Sequence, residues 1–359
     1  MTRAATAQIN LSAIKHNYRL AKSLFPGSKA MAIVKANAYG HGAVEVAINL
    51  ASEADAFGVA CLEEAIRLRA AGITNRLLLL EGFFDTSELQ KAAELNLDTT
   101  IHSKHQLQQF LDSELGHPIN VWLKLDTGMH RLGFSSEEFL QAYRHLANSN
   151  KVSELVLMSH FSRADETASN TTLDQVAQFK KTTADLPNPI SLANSPAILS
   201  WPESKGEWIR PGMMLYGSSP LDQDNDASRQ LIPAMTLESE VIAVKTLKTG
   251  DSIGYGATYR CPGPTKVAVI AMGYGDGYPR QAKNGTPVLV NGIRCPLIGR
   301  VSMDMLTVDV SAIKDVSVGD SAVFWGQDLP LAEVAEFCDT ISYELVTRLT
   351  GRAPLKYTQ

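Results

Sequence analysis

Eight short apolar runs, each followed by a helix-like segment, restrict this chain to a few folds. The runs cover 29–34, 56–60, 76–80, 99–101, 120–125, 154–159, 190–193 and 207–215. Between them, apolar residues return at helical spacing. Phe139, Tyr143 and Leu146 fall at i, i+4, i+7, and Leu173, Val176 and Ala177 at i, i+3, i+4, which places a stripe on one helical face. A further helix is predicted over 12–24, with Ser12 as its N-cap and Pro26-Gly27 as its stop. Alternating βα units imply a parallel sheet. Eight of them suggest a closed (β/α)₈ barrel, although a doubly wound sheet shows the same alternation.

The rhythm breaks after Tyr216-Gly217. Residues 218–230 are polar and read as a linker. The texture then turns to β, with runs at 237–244, 266–272, 287–290, 306–310 and 321–325. Turn signals such as Asn284-Gly285, Asn291-Gly292 and Val318-Gly319-Asp320 punctuate it. One late helix has Leu331, Val334, Ala335 and Cys338 on one face. The chain therefore reads as α/β: a TIM-type barrel over 1–230, then a mainly β domain over 231–359, with which residues 1–10 are expected to pair. Two domains also suit 359 residues, too many for one ordinary core.

Charge and composition exclude several classes. Lys+Arg 33 against Asp+Glu 38 gives net −5, with no basic block, which argues against nucleic-acid binding. The four cysteines show no CxxC pair, so neither a disulfide scaffold nor a metal site is expected. The first ten residues are polar and carry no apolar signal core. No apolar run approaches the ~20 residues that span a bilayer. The expectation is a cytoplasmic enzyme with no membrane partner.

In a barrel, chemistry sits at the C-terminal ends of the strands. The first run ends in Lys35 and Tyr39, and the fifth in Asp126-Thr127-Gly128-Met129-His130-Arg131. The sixth ends in His160, the seventh in Asn194-Ser195 and the eighth in Arg210-Pro211-Gly212. A lysine at the mouth of a buried strand is an unusual charge. Burial lowers its pKa and frees the amine for Schiff-base chemistry. The loops after the last two strands offer the Ser195 hydroxyl and the Gly212-Met213 backbone N–H groups to a phosphate. Lysine and phosphate together point to pyridoxal phosphate (PLP). A lysine aldolase acting on a phosphorylated sugar needs the same two parts.

The stretch Val34-Lys35-Ala36-Asn37-Ala38-Tyr39-Gly40-His41-Gly42 resembles the PLP-attachment signature of alanine racemases. The resemblance extends over nearly the whole chain. It includes Lys124 to Gly133, Ser159-His160-Phe161, Ile209 to Gly212, Gly254-Tyr255-Gly256-Ala257-Thr258-Tyr259, Gly273 to Tyr278 and Val301-Ser302-Met303-Asp304.

That resemblance implies a two-base racemisation of alanine. Two acid–base groups must flank the cofactor plane. Lys35 would serve D-alanine and Tyr255 L-alanine, with His160 close by. The pairing implies a head-to-tail homodimer in which one chain's β domain supplies Tyr255 to the other's barrel. Arg210 aligns with an arginine facing the pyridine nitrogen; as a pure donor it would keep that nitrogen unprotonated. Arg131 and the Met303 backbone match positions that hold the substrate carboxylate. Lys124, carbamylated in some members, supports that arginine. Tyr39, Asn194, Ser195, Gly212, Met213 and Tyr343 match cofactor positions. Tyr274, Arg280, Arg300 and Asp165 resemble an access corridor, and Asp304 a supporting residue.

One departure stands out. Many members carry histidine or a similar residue where this chain has Ser191. The implied role is either to supply D-alanine for the cell wall or to catabolise it, and serine or another small amino acid is a further candidate substrate. A PLP-barrel decarboxylase is disfavoured because it usually places a carboxylate where Arg210 stands. A non-enzymatic PLP carrier is disfavoured by the second domain carrying Tyr255.

Overall fold

The computed structural model describes residues 3–359. Contacts divide the chain into two units, one of Lys15–Leu215 with Ser219–Leu231, the other of the N-terminal residues to Ile14, Tyr216–Ser218 and Ile232–Gln359.

Strand β1 (Thr6–Asn10) belongs to the second unit. The next eight strands form the first unit's closed parallel barrel. They are β2 (Lys29–Ile33), β3 (Ala56–Val59), β4 (Arg76–Leu79), β5 (Leu97–Ile101), β6 (Ile119–Lys124), β7 (Val152–Met158), β8 (Ile190–Asn194) and β9 (Trp208–Arg210). The barrel closes where Lys29 of β2 pairs with Trp208 of β9. Every residue of β3 and β5 is buried, as expected of parallel strands covered on both faces. The barrel, not the doubly wound sheet, is the outcome.

Side chains from non-adjacent strands meet inside the N-terminal end. Arg76 of β4 pairs with Asp98 and with Glu154 of β7, and its guanidinium lies 5.1 Å over the Trp208 ring. Trp122 Nε1 donates to Asp98 at 2.7 Å and packs edge-on to Trp208. This plug fills one end and leaves the other for chemistry.

Several local expectations are corrected. The eighth run is a strand only to Arg210. Pro211 lacks an N–H, and Met213–Tyr216 forms a 3₁₀ turn instead. The first helix is Leu11–Leu24, and Asn10 caps it by accepting from Ala13 N at 2.9 Å, so Ser12 lies inside. On helix Thr171–Thr183 the buried residues include Thr172, Gln175, Val176 and Phe179, while Leu173 is exposed. Segment 219–231 is no free linker. Asn225 Nδ2 donates to Leu199 O, and Asp222 N to Asp165 O.

The second unit is a β domain. Strands β10 (Met235–Leu247), β11 (Ser252–Ile253), β12 (Tyr259–Arg260), β13 (Thr265–Ile270), β14 (Pro287–Val290), β15 (Ile293–Pro296), β16 (Leu306–Asp309), β17 (Ser321–Trp325) and β18 (Leu355–Thr358) follow in order. A bulge between Val241 and Ala243 lets β10 pair with β13 along one half, and with β1 and β17 along the other. Strand β1 also runs parallel to β18. Among the described residues no helix is long and apolar enough to cross a membrane.

Candidate active site

Lys35 follows the four buried residues that end β2. The next four residues, Ala36, Asn37, Ala38 and Tyr39, have φ of 50°, 54°, 54° and 52°. They make one turn of left-handed helix, closed by Ala38 N to Val34 O (2.8 Å) and Gly40 N to Ala36 O (3.0 Å). This hand costs L-residues roughly 1–2 kcal/mol each. The surroundings over-determine it. Glu64 accepts from Ala36 N at 2.7 Å and from Ala60 N at 2.8 Å. Asn37 Oδ1 accepts from Ala43 N. Buried His41 places Nδ1 2.8 Å from Tyr39 O. Nothing in the periodicity announces this turn; the small residues around Asn37 are its only trace.

The turn aims Tyr39 at the loop after β9. A Cβ added at Gly212 would stand 2.9 Å from Tyr39 Oη and 3.7 Å from Ser195 Oγ. Ser195 Oγ accepts from Gly212 N at 2.8 Å and Met214 N at 3.3 Å. With both lone pairs used, its proton remains to be donated. Burial pushes the Tyr39 phenol up to about 12, so it too stays a donor. The result is a cradle of donors around a bare glycine. Met213 is buried beside it. Asn194 spends its side-chain oxygen as an N-cap, accepting from Ala197 N at 3.2 Å.

Arg210 lies buried across the same mouth. Nη1 donates to Ser191 O (2.8 Å) and Ser191 Oγ (2.6 Å), and Nη2 to Ser159 O (2.7 Å). Among the described residues no carboxylate pairs with it. Burial lowers it to about 10, so it stays charged at neutral pH. His160 Nδ1 stands 3.4 Å from Nη2. Since arginine only donates, Nδ1 is the acceptor and the ring proton sits on Nε2. Burial, then Arg210, Lys124, Arg131 and Lys35, hold His160 neutral. Burial lowers the Lys35 amine as well; Glu81 and Glu64 oppose this, while Arg131 adds to it. Ser191, the departure from the family pattern, is here a hydrogen-bond partner of Arg210.

Lys35, Lys124, Arg131 and Arg210 thus share one mouth with few carboxylates among them. Two buried cations, Lys124 and Arg210, with Lys35 and Arg131 beside them, and a glycine cradle rimmed by hydroxyls fit an anionic aromatic cofactor such as PLP.

Lys124 carries a testable cost. It is 7% exposed. Burial first, then Arg210, Arg131 and Lys35, pull it from 10.5 to about 8. While folded and unfolded states are both charged, that depression costs up to about 3 kcal/mol, at 1.36 kcal/mol per pH unit. Between pH 8 and 10.5 the unfolded chain holds the extra proton, so the cost fades as pH rises. Lys124→Met should therefore stabilise the cofactor-free protein by up to about 3 kcal/mol in urea unfolding at pH 7, with the gain shrinking toward pH 10.5. A destabilised variant at pH 7 would mean that Lys124 is not held there as a buried cation.

The second unit carries the remaining candidates. Tyr255 opens a tight turn, Tyr255–Ala257, and is 69% exposed. Met303 is 52% exposed. Its carbonyl accepts from Gly275 N at 2.8 Å, and Tyr274 N donates to Ser302 O at 3.0 Å. The two loops touch so closely that a Cβ at Gly273 would lie 2.3 Å from Met303 O. Buried Asp276 locks them. It accepts from Gly273 N (2.8 Å) and from Arg3 Nε (2.6 Å), while Arg3 also reaches Asp304 O and Arg352 reaches the Asp304 carboxylate. Sequence reasoning passed over Asp276, Arg3 and Arg352. The only signal was an acid inside Gly-Tyr-Gly-Asp-Gly-Tyr. Tyr343 sits on helix Ser342–Thr347. Arg280 and Arg300 are exposed, as is Asp165 of the barrel unit.

A (β/α)₈ barrel with a lysine and an anion cradle at its mouth, joined to a β domain, fits the class of PLP-dependent enzymes. Residues 9–220 match the family profile "Alanine racemase, N-terminal domain", and residues 234–357 "Alanine racemase, C-terminal domain". The chain is 50% identical to a catabolic alanine racemase of Pseudomonas putida over 99% of both sequences. It is similar to the crystal structure of the biosynthetic alanine racemase of Pseudomonas aeruginosa (TM-score 0.97, 47% identity, all of both chains). It is also similar to an alanine racemase of Bartonella henselae with covalently bound pyridoxal phosphate (TM-score 0.91, 28% identity, 99% of both chains). The chain belongs to the alanine racemase family of PLP-dependent isomerases.

Proposed function

We propose that this chain interconverts L- and D-alanine with Lys35 and Tyr255 as its two bases, in a homodimer whose sites are shared. The observation that carries this reading is Lys35. Its amine is weakened by burial and stands at a mouth whose cations and hydroxyl cradle call for an anionic cofactor. Bound there, PLP supplies a conjugated ring that draws electrons from the substrate Cα and acidifies its C–H bond.

The protein's part is binding, orientation and proton handling. Tyr39, Ser195 and the Gly212-Met213 backbone hold the phosphate. Arg210, a donor with no proton to surrender, restrains the electron demand of the ring and so limits side reactions. Arg131 and the Met303 backbone hold the substrate carboxylate. Lys35 Nζ takes or returns the Cα proton on one face, and Tyr255 Oη acts on the other. The exposure of Tyr255, Met303, Met305 (42%) and Ile341 (62%) on the β domain supports cover by a second copy. Tyr274, Arg280, Arg300 and Asp165 line the approach.

The test is chiral chromatography of L-alanine, and of a panel of other L-amino acids, incubated with the protein with and without added PLP. An even mixture of alanine enantiomers is expected with PLP. Failure to form D-alanine overturns the proposal.

A further inference from the structure

Helix Thr171–Thr183 places Gln175, 2% exposed, behind the loops that follow β6 and β7. All four hydrogen-bonding positions of its amide are engaged. Nε2 donates to Thr127 Oγ1 at 3.1 Å and to His160 O at 3.3 Å. Oε1 accepts from Ser162 N at 3.0 Å and Ser162 Oγ at 3.1 Å. The direction of these bonds is forced. Ser159 Oγ spends its proton on Leu125 O at 2.8 Å. Thr127 Oγ1, 2.8 Å from Ser159 Oγ, must then donate to it and accept from Gln175. Only an amide in this orientation closes the chain.

The two loops it joins are those of the candidate site. One runs from Lys124 to Arg131, its start held by Asp126, which accepts from Gly128 N (2.9 Å) and His130 N (3.1 Å). The other begins at Ser159, whose carbonyl holds Arg210, and carries His160. A Cβ added at Gly128 would stand 3.7 Å from Gln175 Cγ.

We propose that Gln175 is a positioning residue: through Thr127 and Ser159 it sets the spacing between the Arg131 loop and the His160 turn, and so the seat of the substrate carboxylate. This rests on the reading that Arg131 binds that carboxylate. The probe is propionate, alanine without its amine, whose binding to the PLP-loaded enzyme is followed by calorimetry. Thr127→Val removes one hydroxyl at constant volume. Gln175→Glu keeps the size but turns an acceptor toward His160 O and a hydroxyl already committed to Ser159.

Both variants should weaken propionate about tenfold, a loss of the size expected when a buried hydrogen bond is broken. Both should raise the KM for alanine more than they lower kcat, while the visible cofactor band and PLP retention stay as in the parent. Thr127→Ser, which keeps the hydroxyl, should stay within about twofold of the parent. Unchanged propionate affinity in folded Thr127→Val overturns the positioning role, as does a Thr127→Ser variant as weak as Thr127→Val. Arg131→Lys is measured alongside. Sensitivity to it, with indifference to Thr127→Val and Gln175→Glu, removes the role of Gln175 alone. Indifference to Arg131→Lys removes the carboxylate assignment beneath it.

Discussion

Lys35→Ala is expected to lower racemisation from either enantiomer by about 10⁴-fold or more. Two losses coincide: the amine that anchors the cofactor and one of the two proton-transfer groups, the latter alone typically worth about 10²–10⁴. The structure gives no substitute. Lys124 is the other lysine at the mouth, but it is buried on β6 and has lower exposure and more cationic neighbours than a mobile stand-in would need. Chiral chromatography in both directions measures the loss, and the visible absorption of the purified variant reports whether PLP is still attached. Racemisation at the parent rate with the cofactor retained would sink the assignment of Lys35. The left-handed turn should survive the change, because its backbone bonds and the Glu64 and Asn37 contacts involve no atom of the Lys35 side chain.

Tyr255→Phe removes a single oxygen, and kcat should fall by about 10²–10⁴. L- and D-alanine have equal free energy, so kcat/KM must fall alike in both directions. The asymmetry should appear in isotope exchange instead. In deuterated water, Lys35 can still remove and return the Cα proton of D-alanine, which should gain deuterium without inverting. L-alanine should gain none. Deuterium entering L-alanine at the parent rate contradicts the assignment of faces. Sharing is tested by mixing Lys35→Ala with Tyr255→Phe protomers. A mixed dimer then holds one site with both residues intact, and about a quarter of parental activity is expected after full subunit exchange. No recovery after demonstrated exchange counts against sharing.

Much of the barrel was legible because strands buried on both faces are continuous apolar runs. The reading failed where an apolar run was not a strand. Met213 to Leu215 continue the apolar texture of β9, yet Pro211 ends the pairing and the chain turns. The Asn291-Gly292 hairpin was legible for a stereochemical reason: both residues adopt positive φ, 50° and 75°, which the tight two-residue turn between β14 and β15 demands. Leu173 misled because the stripe facing the barrel includes a polar residue. Gln175 is buried through hydrogen bonds rather than through apolarity, and periodicity weighs only the latter.

Of the candidate site, the sequence by itself determined the order of chemistry along the chain: a lysine after β2, an arginine after β6, a histidine after β7, a serine after β8 and an arginine at the end of β9. It also determined that the lysine and histidine each follow an apolar run directly, and the serine after one intervening asparagine. Only the tertiary structure decided which of them meet. Closure of β9 onto β2 sets Gly212 against Tyr39, and the reversed hand of residues 36–39 turns the phenol toward it. The bonds that hold the loops, Gln175 to Thr127 and Arg3 to Asp276, join residues 48 and 273 positions apart. Such partners leave no periodic trace, because a hydrogen bond depends on where the folded chain returns, not on the spacing along it.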